Sequence, residues 1–259
     1  MRIVVCIKQI QDPEAAVLRV DEARREVIPL EGLQVTSPFD EQAIEAALRL
    51  RDKGTQCQIT VVTFGPADAH RAIKRALSMG ADDGMHVSNA GLERADSVAS
   101  AHVLSRAITH IGQVDLVLTG RQAADWDAGI VGCGLAELLG IPVVTFAKSV
   151  QLEDGRLVIE RVLDDGFETV EAALPCVVTI SNELGAPRKA SLRETMRAAK
   201  KPTQALTLEA LGIGTTETMQ ERERLFMPVK SINCELASGA SAEEIAKQLV
   251  ARLAASKLL

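Results

Sequence analysis

The chain has 259 residues and a formal net charge of −6; 47% of its residues are hydrophobic and only 2% are aromatic. That length accommodates one large domain or two small ones. The acidic balance argues against a broad nucleic-acid surface, and the scarcity of aromatic side chains leaves the core to Val, Ile, Leu and Ala. No stretch approaches ~18 consecutive apolar residues, so no transmembrane helix is expected. Met-Arg-Ile-Val-Val-Cys-Ile-Lys at the start is too soon interrupted for a signal peptide. Five cysteines (Cys6, Cys57, Cys133, Cys176, Cys234) form no Cys-x-x-Cys pair and are expected to be reduced, buried thiols in a cytoplasmic protein. The histidines are dispersed: His102 and His110 share a predicted helix two turns apart, too far for a common metal.

Ile3 to Ile7 is a short β-branched run and predicts the first strand. Gln9 to Val35 is polar, with short strands expected near Val17 and Val27. Ser37-Pro38 starts a helix, as a capping residue followed by a first-turn proline; Ile44, Ala47, Leu48 and Leu50 give it an apolar stripe and Gly54 ends it. Gln58 to Phe64 predicts a buried strand, and Gly65-Pro66 opens a helix closed by Gly80. Strands over Gly84–Val87 and Asp115–Thr119 alternate with helices over Ala95–Ile111 and Gly129–Leu139, the last closed by Gly140. Val143 to Val150 continues as strand, a hairpin occupies Val150–Ala173, and Cys176–Ile180 is a further buried strand.

Strands alternating with helices predict an α/β fold, a doubly wound and mainly parallel sheet with helices on both faces. Such sheets bind ligands beyond the carboxyl ends of their strands, where strand order reverses. The turns at Cys6–Gln9, Phe64–Pro66 and Gly120–Trp126 are therefore expected to line a nucleotide-sized crevice. Asn182 to Lys201 is polar and basic. Beyond Pro202 periodicity is lost until Ser241–Lys257, an amphipathic terminal helix. A long irregular connection of this kind is unusual inside one compact body. The expected division is residues 1–201 as a nucleotide-binding α/β domain and residues 202–259 as an arm and helix that wrap a partner.

Common catalytic signatures are absent. No Gly-x-Gly-x-x-Gly follows the first strand, and there is no Gly-Lys-Ser phosphate loop or Gly-x-Ser-x-Gly elbow. The richest loop is Gly120-Arg-Gln-Ala-Ala-Asp-Trp-Asp-Ala-Gly-Ile-Val-Gly132, between a buried strand and a helix. Free backbone N–H groups at such a helix start suit an anion, and the small Ala128 and Gly129 allow close approach. The alternative role of Asp125 or Asp127 is to cap that helix.

From Arg161 the chain reads through an acidic turn (Asp164, Asp165, Gly166) to Glu168, Val170 and Pro175, then a β-branched run to Thr179. That order resembles the signature of the electron transfer flavoprotein β subunit. The resemblance extends collinearly over about residues 1 to 213. Ser37-Pro38-Phe39-Asp40 looks like the family's Asn-Pro-Phe turn, and Gly120-Arg121-Gln122-Ala123 like its nucleotide loop. Pro187-Arg188, Leu192, Met196 and Lys200-Lys201 look like its partner-recognition loop and the basic helix after it. The resemblance implies a heterodimer with an α subunit and an FAD held mainly by α beside β. The β subunit itself would bury a nucleotide, AMP or, in electron-bifurcating members, a second FAD reduced by NADH. The residues it implies at this site are Cys6, Ser37, Pro38, Phe39, Asp40, Phe64, Gly120, Arg121, Gln122, Ala123, Asp125, Asp127, Ala128, Gly129, Ile130 and Val131. Partner docking falls to Arg188, Leu192 and Met196.

Implied partners are an acyl-CoA or other flavin dehydrogenase on one side, and a quinone oxidoreductase or ferredoxin or flavodoxin on the other. The sequence departs from the AMP-binding pattern where Gly129-Ile130-Val131 replaces an Asn-Gln-Thr run and removes polar phosphate ligands, which favours FAD. Ile130 in place of the Gln usual in bifurcating members counts the other way. Ala95-Asp96-Ser97-Val98-Ala99-Ser100 resembles the bifurcating members' helix start. Gly185-Ala186 and Val162 also depart from the family, at partner recognition and at a flavin-domain contact. The competing reading is an adenine-nucleotide-binding sensor of related fold. It needs neither a docking loop nor a terminal arm. An adenylating enzyme would need a Ser-Gly-Gly-type loop, which Lys8-Gln9-Ile10-Gln11 does not provide.

Overall fold

The apolar, β-branched runs become strands of one nine-stranded sheet in the computed structural model, which describes residues 1–15, 18–28, 30, 32–214, 218–228 and 234–259. In chain order the elements begin β1 (Arg2–Cys6), β2 (Gln9–Gln11), β3 (Val20–Asp21), β4 (Glu26–Val27), β5 (Gln34–Thr36), α1 (Pro38–Asp52), β6 (Gln58–Gly65), α2 (His70–Met79), β7 (Asp83–Ser88), α3 (Ser97–Ile111) and β8 (Leu116–Gly120). They continue with α4 (Val131–Leu139), β9 (Val143–Glu153), β10 (Arg156–Leu163), β11 (Gly166–Ala172), β12 (Cys176–Ile180), α5 (Leu192–Ala198), β13 (Thr203–Leu206) and α6 (Ala242–Ala255). The strand expected near Val17 falls outside the described residues. The one near Val27 is β4, paired with β3.

The sheet order is β11-β10-β9-β12-β8-β1-β6-β7-β13. From β9 to β13 all neighbours run parallel, and β10 and β11 extend that run as an antiparallel meander. Alternation along β1 sends Ile3 and Val5 to one face and Val4 and Cys6 to the other. On the first face α1 and α2 cover the sheet, with Ile44, Leu48 and Ile73 in the core. On the second α3 and α4 do so, with Val103, Leu104 and Leu135. This is the expected doubly wound architecture.

Three expectations are corrected. The chain after Pro202 is not irregular at once: Thr203–Leu206 pairs in parallel with β7, and Leu208, Leu211 and Ile213 are buried beneath it. An edge strand is held by backbone bonds along one side only, so Thr-Gln-Ala-Leu needs no apolar alternation to form. Not all thiols are buried: Cys133 and Cys234 are exposed and Cys57 is partly so. Ser37 makes no side-chain cap to α1; its Oγ is buried without a partner, and its carbonyl accepts the N–H groups of Asp40 (2.9 Å) and Glu41 (3.0 Å). Among the described residues, no helix is long and apolar enough to cross a membrane.

Candidate functional site

The chain passes from β1 through β6 to β7 on one side, then crosses by way of α3 to β8 on the other side of β1. Strand order therefore reverses between β1 and β8, and their carboxyl-end turns lie side by side. Asp40, in the first turn of α1, ties these two turns together. Its Oδ2 accepts the Lys8 N–H at 2.8 Å and its Oδ1 the Gly120 N–H at 3.1 Å. Burial pushes the Asp40 carboxyl up to about 7, against the opposing pull of those two N–H groups and the Lys8 ammonium. A Cβ on Gly120 would lie 2.6 Å from Asp40 Oδ1 and 2.7 Å from Phe39 Cβ, so only glycine lets β8 end this close to α1. Lys8 Nζ reaches across to Asp125 at 2.6 Å, a second bridge between the turns.

Arg121 lies beside this clamp. Its guanidinium carbon sits 5.0 Å from the Phe39 ring centroid and 5.7 Å from that of Phe146. Phe146 reaches it because β9 and β12 slip register between Val178 and Ile180; Phe146 there has φ +58°, and its N–H bonds Thr179 Oγ1 at 3.0 Å. Such a bulge re-aims a side chain. Arg121 Nη1 is 3.5 Å from Ser181 Oγ, and among the described residues its buried Nε has no acceptor. A cation with an unused donor, between two aromatic rings, suits an anionic or electron-rich planar ligand.

The loop after β8 opens α4, which starts at Val131 rather than Gly129. Neither aspartate caps it. Asp125 is taken by Lys8 and by the Trp126 N–H at 3.0 Å, and Asp127 accepts from Gln122 Nε2 at 2.8 Å. Ile130, at the cap position, is exposed and offers no side-chain acceptor, so the first N–H groups of α4 have no side-chain cap. Gly129 at φ +65° turns the chain into the helix. Ala123 is part of the same turn, its carbonyl accepting the Asp127 N–H at 2.9 Å. Ala128 and Gly129 are exposed. The start of α4 therefore leaves N–H groups free of side-chain partners, the feature by which helix starts accept anions, although Asp125 and Asp127 lie in the same loop.

The structure thus brings Phe39, Asp40, Gly120 and Arg121 together, joins Asp125 to them through Lys8, and sets Gln122, Ala123, Asp127, Ala128, Gly129, Ile130 and Val131 along the adjoining loop. Cys6 and Ser37 lie beneath them, both buried; burial first, and Asp40 second, push the Cys6 thiol up to about 12. Pro38 is exposed at the start of α1, and Phe64 is partly buried against the α3 side. Lys8, Phe146 and Ser181 join the site without having been singled out. Lys8 carries a faint signal as the first charge after β1. Phe146 carries none, because a bulge leaves no trace in an apolar strand pattern.

A further strap crosses nearby. Asp96 caps α3 through the Ala99 N–H (2.8 Å) and also accepts the N–H groups of Met219 (2.6 Å) and Gln220 (2.8 Å). Arg222 stacks 4.2 Å from the Trp126 ring centroid and donates to the Arg25 carbonyl, and Arg25 returns a bond to the Arg222 carbonyl at 2.8 Å. Cavities of about 410 and 430 Å³ lie instead at the amino-terminal edge of the sheet, where Arg2 and Gln58 line both. Leu192 and Met196 are far from these turns, on α5, and are 79% and 67% exposed; they do not pack inward. Arg188 is held by Glu45 and Asp52 of α1.

A doubly wound sheet with an uncapped helix start at its switch point, and a short helix outside it that exposes Leu192 and Met196, is an α/β architecture of the kind that binds ligands at the switch point. The model of the electron transfer flavoprotein domain matches residues 30–211. Over 260 residues, covering 98% of both chains, the protein is 34% identical to the caffeyl-CoA reductase-Etf complex subunit CarD of Acetobacterium woodii. It is 37% identical to an electron transfer flavoprotein subunit beta of Thermoanaerobacterium thermosaccharolyticum, over 84% of this chain and 82% of that one. It is 31% identical to the subunit beta of Megasphaera elsdenii over 88% of both. The chain belongs to the electron transfer flavoprotein β-subunit family.

Proposed function

We propose that this chain is the β subunit of a heterodimeric electron carrier, passing electrons between a flavin dehydrogenase and an acceptor by way of FAD shared with an α subunit. The observation that carries the reading is the coincidence of the family match with the uncapped, exposed start of α4 beside Arg121 at the switch point. Flavin supplies the electron-accepting chemistry when bound. The chain's residues supply the rest: the N–H groups of Val131 and its successors face phosphate, Ala128 and Gly129 leave room for it, and Arg121 presents positive charge between Phe39 and Phe146. The nucleotide of this site is FAD rather than AMP on this reading, because Gly129, Ile130 and Val131 offer a terminal phosphate no side-chain donors. The isoalloxazine ring would then lie near Phe39, Phe64 or the Ala95–Ser100 start of α3, open to a nicotinamide.

The chain beyond Ile213, with α6, acts as the arm toward the α subunit, since residues 203–213 are built into the sheet and its core, and the exposed Leu192 and Met196 act as the surface toward the dehydrogenase. These exposed apolar groups count against a free-standing nucleotide sensor, which has no use for them. The test is to purify the chain with its α subunit and count bound nucleotides. Two flavins per heterodimer, one reduced directly by NADH, support the reading. One flavin with one AMP released on denaturation leaves a carrier with a structural nucleotide. No α subunit bound at all overturns it.

A further inference from the structure

Helix α1 carries two stripes. Ala43, Ile44, Ala47, Leu48 and Leu50 are buried with the core. Gln42, Glu45, Arg49 and Asp52 recur at intervals of three and four, which aligns them along another face. Every one of the four has a partner between Asn182 and Arg188. Gln42 Nε2 donates to the carbonyls of Asn182 (3.3 Å) and Gly185 (3.5 Å), and Arg49 Nη1 to that of Leu184 (2.9 Å). Asp52 accepts from Arg188 Nη2 at 2.7 Å. Glu45 is the centre: it accepts from Arg188 backbone N (3.1 Å), Nε (2.7 Å) and Nη2 (3.2 Å), and from Arg49 Nε (3.0 Å).

The Glu45 side chain is only 7% exposed. Burial acts to raise its pKa, and the Arg188 and Arg49 donors outweigh that and hold it below the ordinary carboxylate value. A charge so enclosed is stable only while its cations stay in place. The segment from Gly185 to Ser191 has no helix or strand of its own. Its path is therefore fixed by side chains, and by Glu45 above all. At its end, Ser191 starts α5 with a capping box closed by Glu194, and Leu192 points outward.

We propose that Glu45 is a positioning residue. Acting through Arg188, it holds segment 185–191 in the one path that presents Leu192 and Met196 to the electron donor. Arg188 then works inside the chain rather than as a contact to the donor. Asp40 lies in the first turn of the same helix, so one rigid rod fixes the docking surface relative to the switch-point turns. The inference rests on reading Leu192 as the docking residue.

Hydrogen exchange on the heterodimer purified with its α subunit reads the hold directly. Glu45→Gln preserves side-chain size and removes the charge; exchange across 185–196 should rise by about tenfold or more with β1 and β8 unchanged. With an acyl-CoA dehydrogenase as donor, the apparent KM for the heterodimer should rise about fivefold while kcat stays within about twofold, because a loosened anchor weakens docking rather than chemistry. Arg188→Lys, which keeps the charge but loses the fork, should fall between. Should Glu45→Gln fail to accumulate, Arg188→Met reads the same anchor from the loop side. Unchanged exchange at 185–196 overturns the proposal, as does faster exchange with an unchanged KM where Leu192→Ala raises it. If Leu192→Ala leaves KM unaltered, the docking reading fails by itself, and exchange still decides whether Glu45 holds the loop.

Discussion

Asp40 is a buried carboxylate whose two oxygens each serve a different turn, and its titration has a definite sign. Its pKa is raised from 3.8 in the unfolded chain to about 7 in the folded one. Between those values the folded state holds a proton that the unfolded state has released. Its contribution to stability is therefore fully present below the unfolded value, falls as pH rises through the window, and levels off above the folded value. Urea midpoints taken from acid to neutral pH should show this slope, and Asp40→Asn should flatten it. The asparagine also turns an amide toward one of two N–H donors, costing about 1–3 kcal/mol at every pH. A neighbouring prediction concerns Gly120. Gly120→Ala drives a methyl against Asp40 and the Phe39 backbone and should destabilise by about 1–3 kcal/mol, with nucleotide content falling alongside the melting temperature. Trp126, the chain's only tryptophan, reports the strap. Arg222→Gln removes the stacked cation, and the tryptophan emission should change in intensity and move to the red; an unchanged spectrum would show that the stack does not persist in solution.

At the scale of elements, the central strands hold the sheet and the turns between them hold the site. Every residue of β8 and β12 is buried, and Leu118 lies wholly within the core beneath α1. Leu118→Ala should cost about 2–5 kcal/mol, measured by denaturant unfolding. The element expectations that succeeded rest on long periodic segments: β6, α2, α3 and α4 all follow from apolar spacing closed by glycine. Unforeseen were β13 and the bulge at Phe146. A four-residue edge strand takes its stability from backbone pairing with β7, and a register slip arises from how β9 meets β12. Neither leaves a pattern within its own residues.

Over the whole molecule, α1 to α4 cover the two faces of the sheet, and α6 is not part of that body. No residue of α6 is buried, while Leu249, Val250, Leu258 and Leu259 stand exposed at the end of the chain. Among the described residues α6 buries no side chain, which fits the proposal that it docks on a partner subunit. Deleting residues 241–259 should leave the unfolding of the α/β body unchanged and reduce recovery of the α subunit in co-purification. Full recovery with the shortened chain would show that the terminal helix is dispensable for assembly.

The sequence alone determined the fold class, the family and most of the elements, because alternating β-branched runs and glycine-closed helices state their structure locally. It also placed the loop after Gly120 at the carboxyl end of a buried strand; that this end is a switch point follows from strand order, which the sheet decides. Only the tertiary structure decided which residues meet there. Lys8 with Asp125, Arg121 between Phe39 and Phe146, and Glu45 with Arg188 join positions up to 143 residues apart. Such contacts depend on how helices sit on the sheet and on which face a one-residue slip exposes. Distance along the chain carries no record of either.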